Sequence, residues 1–328
     1  MNVGLIGFGY WGPNVAKHLF NNNKINLSVI CDSNIKNLNK AKKIYVGQTS
    51  YETDYNLIID NENIDAVAIA VETSKHYSLA KKALLAGKHI YVEKPFTSTV
   101  EEAQELEKIA NKKNLIIHVN HIMLFHPVIK KIKSIVDAGD LGELIYIDST
   151  RLNLGPILKD VSAMWDLAVH DLAIIDYVSN GESFKSLNVM GDKRYNPKES
   201  LVFLSIRYQS FIANIQSNWI SPVKERRLII VGTKKMIVFD DLKMAEKLIV
   251  YDKGISVISG DNPHYDDYVV RTREGSAELP YVEVGDALYN SIDHFIACIE
   301  KNTLSISGPT QAIRMLDILI TASKAFDY

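Results

Sequence analysis

The chain has 328 residues, 47% hydrophobic and 23% charged, a length that fits about two ordinary domains able to bury their cores without disulfides or metals. Its formal net charge of −2 argues against nucleic acid or an anionic membrane as the main partner, and no apolar run approaches the length of a membrane span. The only cysteines, Cys31 and Cys298, suit a reducing compartment.

The opening NVGLIGFG reads as a strand and lacks the basic-then-apolar pattern of a secretion signal, so a cytoplasmic location is expected. Up to about residue 120, short apolar runs (VGLIG, LSVICD, AVAIAV, HIYVE, LIIHVN) alternate with stretches of helical periodicity (GPNVAKHLFNN, SKHYSLAKKALLAG, STVEEAQELEKIANKK). Strands alternating with helices predict a doubly wound parallel sheet, and uninterrupted apolarity suits strands covered on both faces. Thr99 ahead of Glu101 and Glu102 marks a helix start, and Gly87 closes the preceding helix. Lys36, Lys40, Lys42 and Lys43 read as a solvated helix face.

Beyond residue 120 the rhythm changes. PVIKKIKSIVDAG reads as a helix and ELIYIDSTRLNL as a long strand. After a helix bearing WDLAVHD come FKSLNVMGD, LVFLSIRY, FIANIQSNWI, RRLIIVG, KMIVFDD and EKLIVYD, without intervening helices. That pattern predicts a largely antiparallel sheet. Helices return in GDALYNSIDHFIACIEKN and PTQAIRMLDILITASKAF, the second opening at Pro309. No Gly/Ser/Pro-rich linker, repeat or low-complexity tract intervenes, and the pattern places the boundary between the halves near His126–Pro127.

In GFGYWG, Gly7, Gly9 and Gly12 form GxGxxG between an apolar strand and a helix. Glycines there permit a tight turn, close approach of a pyrophosphate and tight helix–strand packing, and the helix N-terminus offers N–H groups to phosphate. Asp32 ends the next strand at about the twenty-residue distance expected of a ribose-binding acid. A carboxylate accepts hydrogen bonds from ribose hydroxyls and repels a 2′-phosphate. Ser33 and Asn34 follow without an adjacent arginine, so NAD is expected over NADP, with Lys36 the one nearby cation opposing that preference.

VEKPF places Glu93, Lys94 and Pro95 at the sheet edge where cofactors bind in such folds, and Pro95 turns the chain. Alone, these residues read as an exposed charge pair. WDLAVHD sets Asp166 and His170 four residues apart on one helical face. They form either a surface ion pair or a general base held in one tautomer by its carboxylate neighbour. HVNHIMLFH brings His118, His121 and His126 close together over a strand end and loop. No carboxylate or cysteine supports them, so no metal is expected. Serine-nucleophile elbows, zinc-hydrolase motifs and Walker loops are absent from the sequence.

GFGYWG, VEKPF and WDLAVHD, in this order and spacing, resemble the glucose–fructose oxidoreductase/inositol dehydrogenase (Gfo/Idh/MocA) family over essentially the whole chain. The resemblance implies an α/β protein: an NAD-binding Rossmann domain with a parallel sheet over 1–121, and an α+β domain with an open, largely antiparallel sheet over 122–308. A final helix over 309–328 would pack back toward the first domain. It further implies an active site between the domains and a homodimer or homotetramer formed through the open sheet. By motif match, Lys94, Asp166 and His170 are the implied catalytic residues. Gly7, Phe8, Gly9, Tyr10, Trp11, Gly12, Asp32 and Ser33 would hold NAD, together with Thr73, His76, Glu93, Lys94 and Asn120. Two departures stand out: Val71–Glu72 where many members have Thr–Pro, and Leu124 where many have arginine.

Oxidation of a secondary alcohol requires removal of the hydroxyl proton as hydride leaves for the nicotinamide. On this reading His170 is the general base and Asp166 orients it. Lys94 positions the hydroxyl and stabilises developing alkoxide, or is itself the first proton acceptor. GYWGPN, RLNLG and NWISPVKERRLIIVGTKKMIVFDD resemble the branch acting on nucleotide sugars, UDP-N-acetylglucosamine 3-dehydrogenases and related glucuronate dehydrogenases. That implies C3 oxidation of a UDP-N-acetylhexosamine on the way to a surface polysaccharide. Arg151, Asn153, Trp165, Trp219, Lys224 and Arg226 are the candidate substrate residues, able to supply charge and stacking to a nucleotide diphosphate. The competing reading is a solvated strand edge for the cations and a core position for Trp219. Free sugars or inositols are the alternative substrates. NAD-dependent glycoside cleavage and non-catalytic cofactor sensing are the readings outside dehydrogenation.

Overall fold

A computed structural model describes residues 1–47, 49–155, 157–158, 161–195, 197–259 and 268–326. The chain divides into two units, Met1–His126 with Gly285–Asp317, and Pro127–Val284 with Ile318–Tyr328.

The first unit runs β1 (Asn2–Ile6), α1 (Gly12–Asn21), β2 (Asn26–Cys31), α2 (Ile35–Ile44), β3 (Ser50–Glu52), α3 (Asn56–Ile59), β4 (Ala66–Ile69), α4 (His76–Leu85), β5 (His89–Val92), α5 (Val100–Lys113) and β6 (Ile117–Val119). The strands form one sheet in the order β3-β2-β1-β4-β5-β6, every pair parallel. Strand order reverses between β1 and β4, so the connections leaving these strands diverge and open a crevice at their carboxyl ends. Edge strand β3, three residues long, is too short to show an apolar run of its own. Thr99 caps α5 by accepting from Glu102 N at 3.2 Å, and the four lysines of α2 are exposed as expected.

Pattern reading assigned residues 285–308 to the second domain; the structure assigns them to the first unit. Leu288, Ile292, Phe295 and Ile296 of the helix there, designated α8 below, lie in the same buried cluster as Val3, Leu5 and Tyr91. Burial of that apolar stripe decides the membership.

The second unit contains α6 (Pro127–Asp137), β7 (Leu144–Leu154), a π-helical turn (Met164–Ala168), α7 (Val169–Val178), β8 (Phe184–Asp192), β9 (Leu201–Tyr208), β10 (Ile212–Asn218), β11 (Ile220–Gly232), β12 (Met236–Asp240), β13 (Leu248–Ser259) and β14 (Tyr268–Glu278). Then come α8 (Ala287–Lys301), of the first unit, and α9 (Pro309–Ala325), whose residues from Ile318 belong to the second. The eight strands are ordered β14-β13-β12-β11-β7-β10-β9-β8. All pairs are antiparallel except β7 with β10, and neither that parallel pair nor β14 is anticipated by the pattern. Along β9, buried Val202, Leu204, Ile206 and Tyr208 alternate with exposed Phe203, Ser205 and Arg207, giving one packed and one open face. Among the described residues no helix is long and apolar enough to cross a membrane.

One ion pair holds the start of α7 to β7. Arg151 Nε donates to Asp171 Oδ2 at 3.0 Å and Nη2 donates to Oδ1 at 2.8 Å. The residues are 8% and 2% exposed, a bidentate geometry that satisfies both groups away from water. Asp171→Asn, which strands the buried guanidinium, is expected to lower unfolding free energy by about 3–5 kcal/mol. Arg194→Ala, removing an exposed pair with Asp192, should change it by less than ~1 kcal/mol. Urea midpoints of the two variants check this ordering.

Candidate active site

The three glycines of the β1–α1 connection meet different surroundings. At Gly7, where φ is +100°, a Cβ would stand 2.3 Å from the Ala70 carbonyl oxygen leaving β4. At Gly12 a Cβ would stand 2.3 Å from Gly7 O. At Gly9 no described atom would come within 4 Å. Two glycines therefore press the loop against itself and the sheet, while the third leaves a flank where a pyrophosphate can reach the backbone. No side chain among the described residues caps α1; Pro13 has no N–H and those of Asn14 and Val15 donate to Trp11 O, so what this helix start offers an anion is the positive end of its dipole and the backbone just ahead of Pro13.

Asp32 holds this loop. Its Oδ2 accepts from Phe8 N at 2.7 Å and Asn37 Nδ2 at 3.1 Å, and its Oδ1 from Asn34 N at 2.7 Å. Three donors occupy most of the carboxylate's roughly four acceptor positions and orient it at the end of β2. Ser33 beside it is exposed. The residues fit a dinucleotide whose ribose approaches Asp32 and whose pyrophosphate approaches Gly9.

Other expected cofactor residues divide. Tyr10 is 94% exposed, Trp11 packs partly buried against the core, and Thr73 opens a short 3₁₀ turn after β4. Phe8 offers only backbone, because its ring is buried edge-on to Tyr45 with centroids 6.2 Å apart. His76 departs from expectation. Its ring nitrogens lie 2.8 Å from Pro95 O and 3.0 Å from Val71 O. It therefore braces the exits of β4 and β5 rather than facing a ligand, and burial lowers its pKa.

Glu93 and Asn120 follow the registered pair Val92 and Val119 on adjacent strands. Asn120 Nδ2 donates to Glu93 Oε1 at 2.8 Å, and Ser291 Oγ of α8 donates to Asn120 Oδ1 at 3.1 Å. Ser291 also lies 3.1 Å from the Tyr91 hydroxyl and 2.9 Å from His118 Nε2, while His118 Nδ1 is 2.9 Å from Ser305 Oγ. Burial pushes the Glu93 carboxyl up to about 7, although Asn120, Lys94 and Trp11 favour its charged form. Sequence reading missed Ser291 and His118 as members of this network. Ser291 lies 171 residues from its partner Asn120, and no local signal links them. Lys94 leaves β5 next to Glu93, partly buried.

In the second unit Asp166 sits inside the π-helical turn and His170 at the start of α7, both partly buried. A π turn inserts one extra residue per turn and recurs at functional sites. Trp165 Nε1 donates to Ser323 Oγ of α9 at 3.0 Å, so its polar edge is engaged within the unit. Two substrate expectations are corrected. Arg151 is committed to Asp171, and Trp219, 2% exposed, belongs to the core. Lys224 and Arg226 are exposed on β11. Arg226 is registered opposite Arg151 and lies 3.6 Å from Asp241 Oδ2. Asn153 is half-buried on β7.

Residues 1–121 match the Gfo/Idh/MocA oxidoreductase family, described as an NAD-binding Rossmann fold, and residues 129–238 match the C-terminal domain of that family. The UDP-N-acetylglucosamine 3-dehydrogenase of Acidithiobacillus ferrooxidans is 28% identical over 199 residues, 60% of this chain and 61% of the relative. The chain thus matches less than two thirds of that relative's length. The scyllo-inositol 2-dehydrogenase (NAD(+)) of Bacillus subtilis is 25% identical over 296 residues, 86% of this chain and 81% of the relative. The solved structure of the Acidithiobacillus enzyme superposes with a TM-score of 0.82 at 23% identity, covering 99% of this chain and 97% of that one, a likeness of fold.

A carboxyl raised from 4.5 to about 7 keeps its proton in the folded chain over a range where the unfolded chain has lost it. Unfolding then releases a proton, and stability falls as pH rises from 4.5 to 7, by up to about 3 kcal/mol in all. Glu93→Gln should remove this component, making the variant less sensitive than wild type when urea midpoints at pH 5 and pH 8 are compared. Parallel pH dependence of the two proteins would place the ionisation elsewhere.

Proposed function

The chain belongs to the Gfo/Idh/MocA family of oxidoreductases, and from that premise we propose that it is an NAD-dependent dehydrogenase oxidising a secondary hydroxyl, at C3, of a UDP-N-acetylhexosamine-type nucleotide sugar. The observation carrying the dehydrogenase reading is the flank of Gly9, clear of other described atoms at the start of α1, with Asp32 fastened beside it. Bound NAD supplies the hydride acceptor. Lys94 then donates to the substrate hydroxyl oxygen and stabilises negative charge developing there. His170 takes the proton, and Asp166 orients the imidazole and stabilises its charged form. These roles rest on the motif match and on the partial burial of all three side chains.

The nucleotide-sugar reading is supported by the similarity to the Acidithiobacillus enzyme and by exposed Lys224 and Arg226, which can make charge-assisted bonds to a diphosphate. A 3-keto product of this kind is ready for amination on the way to a surface polysaccharide. Oxidation of a free sugar or inositol is the second reading, favoured by the longer alignment with the inositol enzyme. The open sheet face, where Tyr146 and Phe203 are exposed, is the surface through which a homodimer or homotetramer would form.

NADH formation across UDP-sugars, free hexoses and inositols, run with NAD and with NADP, tests the substrate. NAD with a UDP-N-acetylhexosamine is expected to be the best pair, and replacing Lys224 and Arg226 together with Ala should raise KM for it while sparing a free hexose. Equal efficiency of wild type on a free hexose or inositol transfers the assignment to the second reading. Lys94→Met and His170→Asn should each slow single-turnover hydride transfer by roughly 10²–10⁴-fold with NADH affinity retained. Wild-type single-turnover rates would withdraw the assigned roles.

A further inference from the structure

The histidines of HVNHIMLFH have different surroundings in the folded chain. His118 has both ring nitrogens within hydrogen-bond distance of serine hydroxyls. His121 is 1% exposed, and neither of its ring nitrogens has a hydrogen-bond partner among the described residues. Its backbone is engaged: its N–H donates to Val119 O at 2.7 Å and its carbonyl accepts from Leu124 N at 3.0 Å. Only the ring is left over.

Its position is informative. Val92 of β5 and Val119 of β6 are paired in parallel register, so Lys94 and His121 each stand two residues beyond the same rung, at the carboxyl edge of the sheet. The Lys94 charge reaches His121. Burial first, and that charge second, push the imidazole down to about 3, so the ring is neutral near neutral pH. A neutral imidazole offers one donor and one acceptor. Burying both unused opposes folding, whereas an apolar side chain of similar size would escape that penalty. Lys94, by contrast, can only donate. A sugar ring carries neighbouring hydroxyls, each able to donate and accept, which suits this pairing of groups. So weak a base would not remove the reacting proton.

We propose that His121 is a substrate-contacting residue whose ring hydrogen-bonds a polar group of the sugar next to the hydroxyl handled by Lys94, and so helps to select the ring that is oxidised. This deepens the dehydrogenase reading and rests on it. His121→Leu and His121→Asn test it on the best substrate of the panel. The leucine variant is expected to lose about tenfold in kcat/KM, the scale of one hydrogen bond, with unchanged NADH affinity by fluorescence titration. Its Tm should hold or rise by about 2–4 °C, since an unpaired buried imidazole is removed. The asparagine variant, which keeps a donor and an acceptor, should recover part of the activity. Unchanged kcat/KM in His121→Leu overturns the proposal. So does a parallel loss of NADH affinity, which would move the contact to the cofactor, and so does a fall in Tm of several degrees, which would make the residue structural. If wild type turns over no member of the panel, the dehydrogenase reading fails, and this proposal with it.

Discussion

The hydrogen bond from Asn120 to Glu93 joins the ends of two adjacent parallel strands, and the first unit is organised around satisfying it. A buried carboxyl and a buried carboxamide together present more donors and acceptors than one bond can use, and each unmet group would destabilise the fold. Ser291 meets the Asn120 carbonyl and stands beside Tyr91 and His118. Ser305 follows at the other nitrogen of His118, and Ser307 donates its hydroxyl to Val119 O at 2.6 Å. Residues 285–317 therefore return to the first unit for polar as well as apolar reasons. A network so completely paired is stiff, and the side chains emerging just beyond it, Lys94 and His121, start from well-defined backbone positions.

The second unit uses a charged device for the same purpose. Burial alone would lower the pKa of Arg151, but the charges of Asp171, Asp241 and Asp166 outweigh it and keep the guanidinium protonated. The pair fastens α7 one residue after His170, and the bond from Trp165 to Ser323 fastens the π turn one residue before Asp166. Both members of the WDLAVHD pair are thus flanked by immobilised neighbours, the support that the acid–base roles proposed for them would require. Arg151 serves this geometry in place of the substrate contact expected of it.

Recognition of cofactor and of substrate differ in kind. The candidate cofactor side is built from glycine conformation, a helix terminus and one carboxylate, features set mainly by backbone and spacing. Substrate candidates such as Lys224 and Arg226 are single exposed side chains on one long strand, free to change without disturbing the sheet. That asymmetry is why the family is legible from the cofactor motif, while the substrate candidates rest on individual side chains.

Local periodicity determined a good deal by itself: the alternating strands and helices of the first 120 residues, the glycine loop, Asp32 at its strand end, the helical placement of Asp166 and His170, and the change to antiparallel strands. These depend on residues within one or two turns or rungs of each other, where spacing is geometry. Tertiary structure alone decided the rest. It brought Ser291 to Asn120, assigned α8 to the first unit, paired β7 with β10 in parallel, and turned part of the WDLAVHD helix into a π turn. It also placed Arg151 against Asp171, buried Trp219, set both nitrogens of His76 beside backbone carbonyls and left those of His121 without partners among the described residues. Whether a polar side chain binds a ligand or its own protein depends on which distant groups reach it first. Those groups are brought near by burying apolar surface and satisfying buried polar atoms across the whole unit, which no short stretch of sequence encodes.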